Sequence, residues 1–345
     1  MTNNLLLIDS DYDEASEFIN GLKETTKKEW EVGLFVNNKV YGIRRYIKFF
    51  WVALKVLINK KKYSGKTILC WQQFYGIAIA FFCRLFHLKK DFTLVVMTFI
   101  FKEKKGKLGR IFFEFVKYSI TSKYVDKIIL TTRSEAEMYS KLFNIPVSRF
   151  AFSKCGAIEY NPDDFYDEKL VNDDYLFSTG RSNRDYNFLI DSLKGTEYNL
   201  VIACDNIPKA SEKNIEIRDD IFGNDMLRYM RNAKAVIISL DNDKIAAGQL
   251  VLLHAMNMGV PVIVTKSKGV TDDYVLNGYN GLIIEKKSES LLNALDLIYS
   301  DVELYEIIKK NSINEFKNNY TYYASGKNVG NILNTMSKKK MILKS

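Results

Sequence analysis

Two arginines follow a glycine in the run Thr179-Gly180-Arg181-Ser182-Asn183-Arg184-Asp185, directly after an apolar stretch at 176–178 and ahead of Leu189 and Ile190 at helical spacing. The run is a strand, a glycine turn and a helix start. Glycine lets a backbone approach a ligand closely, and guanidinium groups beside free helix N–H groups neutralise a diphosphate. The string alone is equally an ordinary turn with solvated arginines. A richer segment runs from Ala246 to Thr265. There Gly248 opens a helix whose first-turn amides, those of Gln249, Leu250 and Val251, lack intrahelical partners; the helix stops at Met258-Gly259, and Pro261 leads into a β-branched strand. Anion binding at that N-terminus follows. Two turns dense in glycine and asparagine come after it, at 269–274 and 277–282.

Such groups need a scaffold that brings loops together. In residues 1–158 short apolar runs at 5–8, 32–36, 67–70, 93–97 and 127–130 alternate with helical patterns at 13–25, 42–59, 76–86, 108–121 and 134–142. A polar run at 159–174 breaks the rhythm and reads as an interdomain linker. A second series has strands at 175–178, 200–203, 215–217, 235–240, 261–265 and 281–284, with helices at 185–193, 225–232, 248–258 and 289–299. The alternation predicts an α/β chain of two Rossmann-like domains facing across a cleft, with ligands beyond the carboxyl ends of the strands. We expect an N-terminal domain over 1–170, a C-terminal domain over 171–319, and a terminal segment, 320–345, that packs back on the N-terminal domain.

Charge and cysteines narrow the chemistry. The chain of 345 residues has a net charge of +9, and the excess lies in its first half: 28 Lys/Arg against 19 Asp/Glu in residues 1–172, 22 against 22 thereafter. No nucleic-acid recognition motif accompanies the basic half, so no nucleic-acid partner is expected. Cys70, Cys83, Cys155 and Cys204 are far apart and only two histidines are present, which predicts core thiols, no disulfide framework and no metal site. No signal peptide is expected at the N-terminus, where no basic stretch precedes the apolar run. Residues 42–62 interleave arginines and lysines with Phe49, Phe50 and Trp51. Two readings stand: an interfacial helix at an anionic membrane, or a crossover helix with Ile47, Trp51, Leu54 and Ile58 buried in the core, the latter expected to account for most of those four. A second basic stretch, 102–110, precedes an apolar-basic helix.

The ordered set of motifs over residues 173 to about 320 resembles the retaining family-4 group of GT-B glycosyltransferases. There a Gly-Arg turn with a second cation is followed by the glycine-started helix, Gly-x-Pro-Val and a Gly-x-x-acid turn. By that resemblance Arg181 and Arg184 are the catalytic cations on the donor diphosphate; Gly180, Gly248, Gln249, Leu250 and Val251 bind the donor phosphates, and Ile221 lies beside the base. Thr98 and Lys102 are the expected acceptor-side residues of the cleft, whereas His87 reads as structural. The sequence departs from the family where it has Ala246 and His254, positions at which the family places two glutamates, against the donor sugar and the ribose. A histidine offers the ribose one hydrogen bond, not a bidentate acceptor. The resemblance implies a nucleoside-diphosphate sugar as donor, UDP-sugar favoured, with no cofactor. It implies a glycan or lipid-linked glycan acceptor in cell-surface polysaccharide assembly, and a cytoplasmic protein held peripherally at the anionic inner face of the membrane. The alternative is a catalytically impaired partner subunit that binds acceptor or a catalytic sister chain.

Overall fold

The computed structural model describes residues 3–9, 12–34, 43–205, 207 and 212–342. The chain divides into two compact units, residues 1–154 with 325–345, and residues 155–324. The first holds strands β1 Asn4–Ile8, β2 Trp30–Leu34, β3 Thr67–Cys70, β4 Thr93–Val96, β5 Lys127–Leu130 and β6 Phe150–Phe152, and helices α1 Tyr12–Thr26, α2 Ile43–Ile58, α3 Gln73–Leu85, α4 Gly106–Ile120 and α5 Ser134–Phe143. The second holds β7 Tyr175–Thr179, β8 Asn199–Ala203, β9 Ile215–Arg218, β10 Ala235–Ile238, β11 Val262–Thr265 and β12 Leu282–Ile284, with helices α6 Glu168–Asn172, α7 Tyr186–Leu193, α8 Asn224–Asn232, α9 Gln249–Met258, α10 Thr271–Tyr274, α11 Ser288–Ser300 and α12 Val302–Glu315. Helix α13, Tyr322–Ile342, begins in the second unit and belongs to the first from Ser325 on.

Each unit is a six-stranded parallel sheet, in the order β2-β1-β3-β4-β5-β6 and β12-β11-β10-β7-β8-β9 respectively. The strands are apolar without alternation because helices cover both faces; every residue of β1, β7, β10 and β11 is buried. β2 lies two residues earlier than its apolar pattern suggests, and residues 35 and 36 of that expected strand fall outside the described residues. The polar run at 159–174 packs within the second unit. Asn232 accepts from the Asp167 N–H at 2.9 Å and donates to the Phe165 carbonyl at 2.8 Å, and Asn257 exchanges two hydrogen bonds with the Tyr160 backbone.

Helix α2 corrects one expectation. Ile47, Trp51, Leu54 and Ile58 are exposed, whereas Phe49, Val52, Ala53, Val56 and Leu57 are buried against the sheet layer. The helix carries two apolar rows a half-turn apart, so hydrophobic period alone did not say which row faces inward.

Helix α13 packs on α1 at backbone contact. A Cβ placed on Gly326 would stand 2.1 Å from the Phe18 carbonyl oxygen, and one on Gly330 would stand 2.7 Å from the Thr25 Cβ; Asn334 then donates to the Thr25 carbonyl at 2.9 Å. Gly326→Ala should therefore force the helices apart and lower unfolding free energy by about 1–3 kcal/mol in urea denaturation. Unchanged stability would show that this contact does not hold the terminal helix.

Candidate functional site

In the second unit the chain order reverses between β7 and β10, which lie side by side while their following connections turn to opposite parts of the sheet. Such a switch point leaves a crevice at the carboxyl ends of the strands. Both motifs sit there, one after each strand. Their loops are zipped together: the Asp185 N–H donates to the Ser239 carbonyl at 3.1 Å, Ser239 Oγ to the Asp185 carbonyl at 2.8 Å, and the Asp241 N–H to the Asn183 carbonyl at 3.2 Å. The Asn183 side chain accepts from the Asn242 N–H at 2.9 Å and donates to its carbonyl at 2.8 Å. Asp185 also caps α7 through the Phe188 N–H and meets Lys286 Nζ at 2.5 Å, which with that N–H holds its carboxyl below the usual range against the opposing pull of burial.

The zipper fixes Arg184. Its Nε donates to the Thr179 carbonyl at 3.1 Å and its Nη1 to the Ser182 carbonyl at 3.0 Å; Nη2 makes no hydrogen bond among the described residues. The guanidinium fills the space that a side chain at Gly180 would need and lies at van der Waals contact with the Cβ position of Gly248. A Cβ on Gly180 would lie 2.8 Å from Nη2, and one on Gly248 would lie 3.4 Å from both Nη atoms. Both glycines have left-handed φ, +117° and +101°, which other residues adopt only with strain. Burial pushes the Arg184 pKa down from its ordinary value, but a guanidinium stays charged in proteins.

Gly248 is the N-cap of α9, and its carbonyl accepts the first helical bond, from Leu252 N–H at 3.0 Å. The amides of Gln249, Leu250 and Val251 therefore lack helical acceptors and carry the positive end of the helix dipole. The loop before them is braced by Asp243, whose carbonyl accepts from Lys268 N–H at 2.9 Å and Ser267 Oγ at 3.0 Å, and by Gly269, packed so tightly that a Cβ there would stand 3.0 Å from the Ala246 backbone. A guanidinium whose Nη2 has no hydrogen bond among the described residues, beside a helix N-terminus, has the chemistry that suits an anion such as a diphosphate.

The remaining predicted residues fall in different places. Arg181 is exposed and is taken by Asp205 after β8, through contacts of 2.8 and 2.7 Å. Asp205 carried no signal in the sequence beyond its position after an apolar run. His254 lies in the second turn of α9, half-buried, with its ring centroid 5.9 Å from that of Tyr160. Its Nδ1 is buried with no hydrogen-bond partner among the described residues, and burial lowers its pKa, which favours the neutral imidazole. Ile221 is part of the core; the neighbouring Phe222 is the side chain that faces solvent, 72% exposed, and apolar pattern did not distinguish the two. In the first unit Thr98 has a left-handed φ of +51° and spends its hydroxyl on the Trp71 and Met97 carbonyls, while Lys102 is exposed. Among the described residues no group of three or more His, Cys, Asp or Glu is placed to hold a metal ion.

Residues 209–315 match the family model described as Glycosyl transferases group 1. No curated protein sequence matches the chain. Solved structures align over nearly all of it. HepE of Anabaena, in complex with UDP-glucose, is 15% identical, with 96% of this chain and 99% of that one covered at a TM-score of 0.64. Sucrose-phosphate synthase of Thermosynechococcus elongatus is 14% identical, with 97% and 100% covered at 0.65. The lipopolysaccharide outer core galactosyltransferase WaaB, in its apo form, is 14% identical, with 97% and 99% covered at 0.63. The likeness establishes the GT-B architecture expected from the motif order.

Two measurements test the site's physics. Gly248→Ala should lower thermal stability and weaken anion binding together, because a φ of +101° is strained for alanine and the added Cβ would press on Ile238 Cγ2 at 3.3 Å, at the start of the same helix that presents the free amides; a variant as stable as the parent would contradict the geometry. For His254, a folded-state pKa below the unfolded value of about 6.5 means the unfolded chain binds more protons as pH falls through that value, so stability drops on the acid side. The thermal midpoint of His254→Gln should fall less steeply below pH 6.5 than that of the parent; equal slopes would place the acid sensitivity elsewhere.

Proposed function

We propose that this chain, a glycosyltransferase by its group 1 segment and its GT-B fold, moves a sugar from a nucleoside-diphosphate donor, UDP-sugar first among them, to a glycan or lipid-linked glycan in cell-surface polysaccharide assembly, with retention of anomeric configuration. One observation carries the reading: the Arg184 guanidinium seated between Gly180 and Gly248 at the start of α9. Two further points support it. HepE, of the same architecture, is in complex with UDP-glucose, and WaaB is a lipopolysaccharide galactosyltransferase.

The chemistry follows from charge. As the bond between the anomeric carbon and the phosphate oxygen breaks, negative charge grows on the leaving diphosphate; Arg184 and the amides of Gln249, Leu250 and Val251 stabilise it there. The acceptor hydroxyl oxygen bonds to the anomeric carbon on the face the diphosphate leaves, and its proton passes to the departing phosphate oxygen. This assigns the stabilising role to protein cations and a helix end rather than to a metal ion. Arg181 joins once the diphosphate competes with Asp205 for it. The neutral His254 replaces a ribose-binding carboxylate with a single hydrogen-bonding group, and Thr98 and Lys102 remain the acceptor-side candidates. The acceptor class puts the enzyme on the cytoplasmic side, peripherally at an anionic membrane.

Ala246 and His254 favour a second reading, a partner subunit that has lost catalysis but binds acceptor or a catalytic sister chain. Calorimetric titration with UDP, GDP, ADP and CMP and their sugars separates the two. Charge-assisted hydrogen bonds contribute about 1.5–3 kcal/mol, so Arg184→Gln should weaken UDP binding by about ten- to a hundredfold. Arg181→Ala, which removes an exposed paired cation, should cost less than about fivefold. Absence of binding across the panel would favour the partner subunit.

A further inference from the structure

Helices α2, α3 and α4 form one layer of the first unit, and their outer surface is apolar where solvent would ordinarily demand polarity. On α2 the outward row is Ile47, Trp51, Leu54 and Ile58, exposed by 61, 54, 39 and 82%. On α4, Leu108 and Ile111 are 82 and 65% exposed. The ground between is aromatic: Phe50 of α2, Phe81 and Phe82 of α3 and Phe115 of α4 are half-buried, with ring centroids of neighbouring pairs 5.2–6.0 Å apart. The apolar surface is thus continuous from one helix to the third, larger than the scattered hydrophobes of an ordinary surface.

The charges around it are nearly all of one sign. Arg44, Lys48 and Lys55 stand on α2 and Lys107, Arg110 and Lys117 on α4, and Glu114 is the sole carboxylate in the sequence of the three helices. Lys55 Nζ lies 5.1 Å over the Trp51 ring and Lys117 Nζ 5.6 Å over Phe113, so cations and aromatic rings are interleaved on this face. Among the described residues no helix is long and apolar enough to cross a membrane. A 16-residue helix with one row in the core and another row outward lies along a surface instead.

We propose that this face docks the chain flat on an anionic lipid bilayer, with Ile47, Trp51, Leu54, Ile58, Leu108 and Ile111 in the acyl boundary and the flanking cations on the headgroups. Charge complementarity selects the occupant: on the three helices the cations far outnumber the one carboxylate, Glu114, and such an excess fits an anionic surface that several lysines and arginines meet at once. The inference names the surface for the membrane-held acceptor of the proposed function and rests on that reading only for the acceptor's location.

The test is co-sedimentation of the full chain with phosphatidylcholine vesicles, with and without phosphatidylglycerol, in the absence of donor and acceptor. Trp51 reports directly, since Trp30 is buried and Trp71 half-buried. Binding to the anionic vesicles alone, weakened by salt, with a blue shift of tryptophan emission, is the expected result. Trp51→Glu should reduce it at least about tenfold, and Lys55→Glu should reduce it as well, with UDP affinity and thermal midpoint unchanged. No sedimentation with anionic vesicles, or full sedimentation of Trp51→Glu, overturns the proposal. So does a concentration-dependent dimer that Trp51→Glu abolishes, since a second copy would then cover the face. Nucleotide binding without vesicle binding sinks the docking face and leaves the donor site standing; vesicle binding without nucleotide binding does the reverse.

Discussion

Arg184 places a cation against the positive end of a helix. This is a like-charge contact, offset by the Thr179 and Ser182 carbonyls that accept from the guanidinium and by the hydrogen-bonded loops that hold the side chain. The cost is already met in the folded state, so in the proposed function an arriving diphosphate finds its donors oriented and gains the interaction without reorganising them. Everything else in the second unit can be read as what makes that juxtaposition possible. Two left-handed glycines leave the volume, and the Asn183–Asn242 and Asp185–Ser239 bonds lock the loops. The reversal of strand order between β7 and β10 brings two segments some 60 residues apart to the same spot.

The same constraint explains the unequal fate of the two arginines. Arg184 lies inside the zipper, tied to the Thr179 and Ser182 carbonyls. Arg181 points from the turn toward β8, where the exposed carboxylate of Asp205 neutralises it. Exposed ion pairs of this kind contribute little, so the pair is readily exchanged for a ligand anion. In the proposed function the two arginines divide the work: Arg184, held by backbone carbonyls, defines where the phosphates lie, and Arg181, exposed and paired with Asp205, adds charge once they have arrived.

Much of the fold was legible because both sheets are fully covered, which makes each strand a short uninterrupted apolar run bounded by turn residues. β3 and β5 coincide with their sequence patterns, and β7, β8 and β9 differ from theirs by one residue. β6 escaped notice because a three-residue edge strand has no period to read, and α12 because its mixed polar face resembles an exposed loop. At the site, the glycine-started helix and the Gly-Arg turn were legible as motifs, and their meeting was implied only by the resemblance. The pairing of Arg181 with Asp205, the burial of Ile221 beside exposed Phe222, and the inward turn of the Thr98 hydroxyl depend on side-chain direction, which residue type does not encode. For α2, both rows are apolar, and only the packing of Phe49, Val52 and Val56 against the sheet layer decided which one faces solvent.

The candidate anion site of the second unit and the apolar, cationic helical layer of the first are built from separate parts of the sequence, neutral in one half and basic in the other. The central claim concerns the first of these, and a crystal structure of the chain with UDP tests it most directly. The account predicts diphosphate oxygens within hydrogen-bond distance of the Arg184 guanidinium and of the amides of Gln249, Leu250 and Val251, with Gly248 at contact distance. A diphosphate held away from α9, or bound by Arg181 with Arg184 untouched, would contradict it.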